Sequence, residues 1–174
     1  MHQDPLCTNA WNSLIMGCKL WIFMSPNVPK DIALGTQFRT EVESKVEIED
    51  EAVGWYHRVY PSIRKWFMQH CPAEYTLIEV VQYPGETIFV PNTWWHAVLN
   101  INSDTLSITH NYVSSSNFTD AWRSMRIERP HTAQRWRHAL SYMEPATFTR
   151  LVNIDRNDKF VCDILKPKYC CQYY

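Results

Sequence analysis

TLIEVVQYPGETIFVPNTWWHAVLNINSDTLSITHNYV, residues 76–113, decides the fold class. Its runs at 76–83, 86–91, 93–101 and 104–113 are rich in Val, Ile, Thr and aromatic residues, and short turn signals separate them. No helical period lies between them. The block therefore predicts an antiparallel meander with a hairpin at Pro84–Gly85, not βαβ units. Toward the N-terminus, AWNSLIM (10–16) and KLWIFM (19–24) are of the same kind, and Gly17 between them predicts a second hairpin. A loop with Pro26 and Pro29 then leads into EVESKVEIEDE (41–51), which reads as a solvated acidic face. A helix is expected from Asp50, its cap, to about Phe67, with Val53, Tyr56 and Tyr60 recurring and Pro61 ending or kinking it. After residue 113 the character changes. A Ser-capped SSSNFTDAWRSM (114–125), HTAQRWRHALSYM (131–143) and, after Pro145, ATFTRLV (146–152) read as helices.

The rest of the composition fits one soluble domain. The 174 residues are 45% hydrophobic and 14% aromatic, which excludes intrinsic disorder. A formal net charge of −1 argues against a dedicated polyanion binder. The longest apolar run, LWIFM at 20–24, is far below the roughly 20 residues of a membrane span. MHQDPLCTN shows no secretory pattern, and Cys7, Cys18, Cys71, Cys162, Cys170 and Cys171 contain no CxxC, so reduced thiols are expected.

Three residues suggest metal chemistry. His2 and Asp4 stand two apart, so an extended chain puts both side chains on one face, and His96 lies in an apolar strand. Two His and one carboxylate can cap one face of an octahedral iron and leave three positions open. The pattern alone is weak, since the chain has seven His and a strand His with a satisfied side chain is the commoner case. Lys19 is flanked by apolar residues in GCKLWIFM, without an acidic residue nearby in sequence. A bound carboxylate would answer its charge; an edge-strand lysine guarding against aggregation is the alternative. Alternation allows Asn12, on the other arm of the expected hairpin, to share Lys19's face. Thr105, Ser107, Thr109 and Asn111 form one polar stripe, facing either water or a wet barrel interior.

HQDPLCTNAWNSLIMGCKLWIFMSP (2–26), VQYPGETIFVPNTWWHAVLN (81–100) and SITHNYVSSSNF (107–118) together resemble the JmjC domain of Fe(II)- and 2-oxoglutarate-dependent oxygenases. Within that family they resemble the subgroup of bifunctional arginine demethylases and lysyl hydroxylases. DEAVGWYHRVYP (50–61) and RPHTAQRWRHAL (129–140) carry the likeness to about residue 150. The resemblance implies a mainly β fold, a double-stranded β-helix of the cupin-like jelly-roll type, over 1–113. A helical region over 114–155 and a tail over 156–174 would follow. It implies His2, Asp4 and His96 as iron ligands, and Asn12, Lys19 and Thr109 as residues that hold 2-oxoglutarate, with Lys19 pairing its distal carboxylate. Asn92–Thr93 stand where the subgroup has two glycines, and one residue is added at Asn102–Ser103–Asp104. The family places further core strands, and one more cosubstrate-binding hydroxyl residue, before the first His. The fold is accordingly expected to be N-terminally incomplete, with unpaired sheet edges.

The activity implied is hydroxylation of lysyl side chains, with 2-oxoglutarate decarboxylated to succinate, O2 as oxidant and ascorbate as reductant. On an N-methylated arginine the same oxidation releases formaldehyde. Basic Arg/Ser/Lys-rich proteins or histone tails are the implied partners, and the nucleus the implied location, although no import signal is visible. Two other classes stand beside this one. One is a truncated, non-catalytic module that binds metal or protein. The other is RNA binding by residues 119–151, where six Arg stand against three acids beside Trp122 and Trp136. The core-like spacing of the two Trp residues favours a helical cap, with a homo-oligomer contact through it, over RNA.

Overall fold

The computed structural model describes residues 1–38, 52–70 and 73–160. The acidic stretch 41–51 with the Asp50 cap, four of the six cysteines (Cys71, Cys162, Cys170 and Cys171) and tail residues 161–174 lie outside the described residues. The chain divides into two compact units, Met1–Asp4 with Asn9–Tyr112, and Pro5–Thr8 with the chain from Val113 onward.

The first unit is built on six strands: β1 (Asn9–Met16), β2 (Lys19–Met24), β3 (Leu77–Gln82), β4 (Thr87–Val90), β5 (Trp95–Asn100) and β6 (Leu106–Tyr112). All six fall on the β-rich runs read from the sequence, but the expected hairpins and meander do not form. The sheets run β4-β1-β6 and β3-β2-β5, every pair antiparallel, so each tight turn carries the chain from one sheet to the other. A short Gly turn closes a hairpin or a corner equally well; burial decides. β2 is apolar on both faces, so it needs a packed layer on each side and takes the central place in its sheet. Gly17 makes its corner at φ 91°, where a Cβ would come within 2.6 Å of the Asp104 carbonyl oxygen.

The outer face of β3-β2-β5 packs Ile22, Met24, Trp95 and Ala97 under helices that supply Ile32, Trp55, Val59, Ile63 and Phe67. Those helices are α1 (Lys30–Ala33), α2 (Ala52–Gly54), a π turn at Trp55–Val59 and α3 (Tyr60–His70). Of the two outcomes expected at Pro61, the helix does not end; it is distorted instead into the π turn just before the proline. The Tyr60 N–H reaches back five residues to the Trp55 carbonyl, and this wider turn lets the chain carry a residue that lacks an N–H and crowds the preceding turn. The Tyr56 hydroxyl lies 2.9 Å from the Leu20 carbonyl and 2.8 Å from that of Ala97, fastening the helix to the backs of β2 and β5.

Between the sheets, Ala10 and Val90 meet Trp21 and Phe23. Gln82, fully buried, ties the two layers. It accepts from Trp21 Nε1 (2.8 Å) and donates to the Asn12 carbonyl (2.9 Å).

The second unit contains α4 (Phe118–Glu128), α5 (Pro130–Met143) and α6 (Pro145–Asn157), the last longer than the sequence suggested. Asn117, not a serine, is the N-cap of α4, and its side-chain oxygen accepts from the Ser114 N–H at 2.7 Å. Phe118, Trp122, Ala133, Leu151 and Ile154 form its core, and Trp136 packs against them. Buried Arg126 joins α4 to Asp155 and Asp158 near the end of α6. No described helix is long and apolar enough to cross a membrane.

Candidate metal centre

His2 and His96 face each other across an isolated antiparallel bridge. The His2 N–H donates to the His96 carbonyl (3.0 Å), and the His96 N–H to that of His2 (2.8 Å). Asp4 lies two residues on, on the same side of the extended chain. Its Oδ1 is 3.6 Å from Nε2 of His2 and 3.6 Å from Nε2 of His96. One ligand atom from each residue falls within 4.8 Å of the others. Two ligands at right angles, each about 2.1 Å from an ion, stand about 3 Å apart, so the three side chains would have to draw together to hold a divalent metal.

The protonation states fit that use. His96 Nδ1 lies 3.1 Å from the Trp94 carbonyl, which places the proton on Nδ1 and leaves Nε2 with a lone pair toward Asp4. Burial pushes the His96 pKa down and so favours the neutral, ligating imidazole. The neighbouring His2 imidazole holds the Asp4 carboxyl below its usual range, against the burial that raises it; Asn111 lowers it a little further. The turn ahead of His96 is braced as well. Thr93 adopts a left-handed φ of 66°, and the Gln3 side-chain amide donates to its carbonyl.

Lys19 projects between the sheets from a central strand and is only 8% exposed, so it is no edge lysine. Burial, with no charged neighbour among the described residues to offset it, lowers its pKa. Its Nζ donates to Ser107 Oγ at 2.6 Å, and Asn12 Nδ2 points at the same oxygen from 3.4 Å. Asn12 and Lys19 thus share one interior from opposite sheets, not one hairpin face. Asn12 Oδ1 is buried without a partner. Thr109 pairs with Asn12 across β1 and β6, and its hydroxyl donates to the Trp11 carbonyl at 2.8 Å. Ser107, not Thr109, is the hydroxyl beside Lys19. Ser107 and Asn111 belong to the polar stripe seen in the sequence but were not among the expected site residues. Nothing in the sequence pointed to Gln3.

A family profile for the JmjC domain, described as a hydroxylase, matches residues 1–112. A Caenorhabditis briggsae protein named bifunctional arginine demethylase and lysyl-hydroxylase psr-1 is 38% identical over 147 residues, covering 83% of this chain and 34% of that protein. The Arabidopsis thaliana arginine-specific demethylase JMJ22 is 29% identical over 161 residues, covering 86% of this chain and 30% of its own length. The mouse 2-oxoglutarate and iron-dependent oxygenase JMJD4 is 28% identical over 153 residues, covering 80% and 30%. The chain spans about a third of the length of the curated relatives it matches.

Proposed function

Because the chain belongs to the JmjC domain family, we propose that it is an Fe(II)- and 2-oxoglutarate-dependent protein oxygenase with His2, Asp4 and His96 as the iron ligands. The observation that carries the reading is the donor set itself: two imidazoles and a carboxylate, preorganised by a backbone bridge. Bound iron and 2-oxoglutarate would supply dioxygen activation and the oxidising equivalents for hydroxylation. The chain's part is to hold Asp4 ionised, to fix the His96 tautomer through the Trp94 carbonyl, and to answer a cosubstrate carboxylate with the Lys19 ammonium, which has no counter-charge among the described residues. Asn12 and Thr109 stand across from Lys19's sheet as further cosubstrate contacts.

Lysyl hydroxylation is the reaction we favour, with arginine N-methyl demethylation second, on basic Arg/Ser/Lys-rich nuclear proteins or histone tails. The names of the worm relatives support both activities. Self-association through α4–α6 and a weak RNA affinity are retained as lesser expectations. We also read the sandwich as completed by further strands, as the double-stranded β-helix requires. His96 turns its peptide groups away from β2 toward His2, and antiparallel alternation turns those of Val98 and Asn100 the same way.

The test is succinate formation by the purified chain with Fe(II), 2-oxoglutarate, O2 and ascorbate, with and without an Arg/Ser/Lys-rich peptide. Peptide-stimulated succinate that disappears in His96→Ala is the expected result. A folded chain that binds metal yet forms no succinate would instead be a non-catalytic module.

A further inference from the structure

We propose that Ser107 is a binding residue for the distal carboxylate of 2-oxoglutarate, giving its hydroxyl proton to the carboxylate that Lys19 pairs. The inference rests on the oxygenase reading of the same pocket and adds a residue that neither the motif nor the family resemblance assigned.

Proton accounting carries it. Lys19 is all donor, and so is the Asn12 nitrogen that points at Ser107. Both place their hydrogens on Ser107 Oγ, at 2.6 and 3.4 Å, so that oxygen is acting as an acceptor twice. Its own O–H is then left to give, and among the described residues it has no acceptor. A buried ammonium, an amide N–H and a free hydroxyl converge there, and the acceptor beside them, Asn12 Oδ1, makes no hydrogen bond to any of them; such a donor-rich cluster is what an anionic oxygen requires. The carboxylate that Lys19 calls for supplies it.

Thr109 cannot take this place. Its hydroxyl is spent on the Trp11 carbonyl, and it sits one inward position further along β6, across from Asn12. Ser107 is paired with Leu14, one inward position beyond Asn12 along β1, which brings its side chain to Lys19 on the opposite sheet. The burial-lowered pKa of Lys19 is consistent with an ammonium that lacks its counter-charge.

The experiment is calorimetric titration of 2-oxoglutarate into the full chain loaded with Mn(II), under nitrogen so that no turnover occurs. Pyruvate, a 2-oxo acid without the distal carboxylate, is titrated alongside. Ser107→Ala should weaken 2-oxoglutarate about tenfold, the scale of one hydrogen bond to a charged group, and leave pyruvate, Mn(II) affinity and melting temperature unchanged. Ser107→Thr should restore most of the loss. If Lys19→Ala loses 2-oxoglutarate while Ser107→Ala binds it like the parent, Ser107 is only a neighbour and the inference is overturned. If Lys19→Ala also binds like the parent, the cosubstrate reading of the pocket falls with it. An equal loss for pyruvate in Ser107→Ala would likewise overturn the inference, since the distal carboxylate would not be the group contacted.

Discussion

The two sheets of the sandwich are made of similar strands and live in different surroundings. On β3-β2-β5 the outward residues Ile22 and Met24 are fully buried beneath the π turn and α3. On β4-β1-β6 the outward residues Phe89 and Ile108 are 53% and 55% exposed, with Trp11 and His110 between them, their rings 6.4 Å apart. Apolar character is therefore no measure of support: one face has a cover among the described residues and the other has none. The division extends to the site. His96 and Lys19 come from the covered sheet, whereas Asn12, Ser107, Thr109 and Asn111 come from the bare one.

If the covered sheet is the anchor, His96→Ala should abolish measurable Mn(II) binding while the circular dichroism spectrum is kept. Asn111→Ala, which removes a hydrogen bond to Asp4, should cost about tenfold. Equal losses would erase the distinction between the sheets. Stability sharpens it next. Ile22→Ala should lower the unfolding free energy in urea by about 2–5 kcal/mol, and Ile108→Ala by no more than about 0.5 kcal/mol. A large loss at Ile108 would mean that the bare face is covered in solution. Gln82→Leu strands the Trp21 N–H and the Asn12 carbonyl, one on each sheet. About 1–3 kcal/mol is expected from it in the same assay.

The smallest effect at neutral pH concerns Lys19, whose pKa lies below 10.5 because it is buried. In both folded and unfolded chains Lys19 is charged at low pH, so its burial penalty is full there. The penalty is relieved as pH rises from the depressed value to the ordinary one. On the proposed function, cosubstrate binding runs the other way: it would need the ammonium, so 2-oxoglutarate affinity should fall as pH passes the depressed value. Titrations of Lys19→Arg should show no such alkaline decline, and a decline kept in that variant would assign it to another group.

Strand positions were legible because alternation and β-branched runs are local properties. Strand partners were not. Pro84–Gly85 and Gly17 suit a hairpin as well as a corner, and only the two-sided burial of β2 chooses between them. Pro61 was read as an end or a kink for a similar reason, and which of the two it makes depends on the turn ahead of it, here a π turn. His2, Asp4 and His96 do converge, which spacing alone left open and the family resemblance implied, and Lys19 is buried rather than at a sheet edge. Which hydroxyl reaches Lys19 depends on the register of β6 against β1 and on the distance between layers, and neither is written in a polar stripe.

The bridge between His2 and His96 has one more consequence. Residues 1–4 are fastened to β5 by its two backbone hydrogen bonds and by any ion that the three ligands share. A metal at a hundred times its dissociation constant would add about 2.7 kcal/mol to that fastening by mass action alone. Releasing the ion therefore loosens residues 1–4, which the two backbone hydrogen bonds still hold to β5. Deuterium uptake at the amides of His2 and His96 becomes a clock for metal departure, readable without substrate, cosubstrate or turnover.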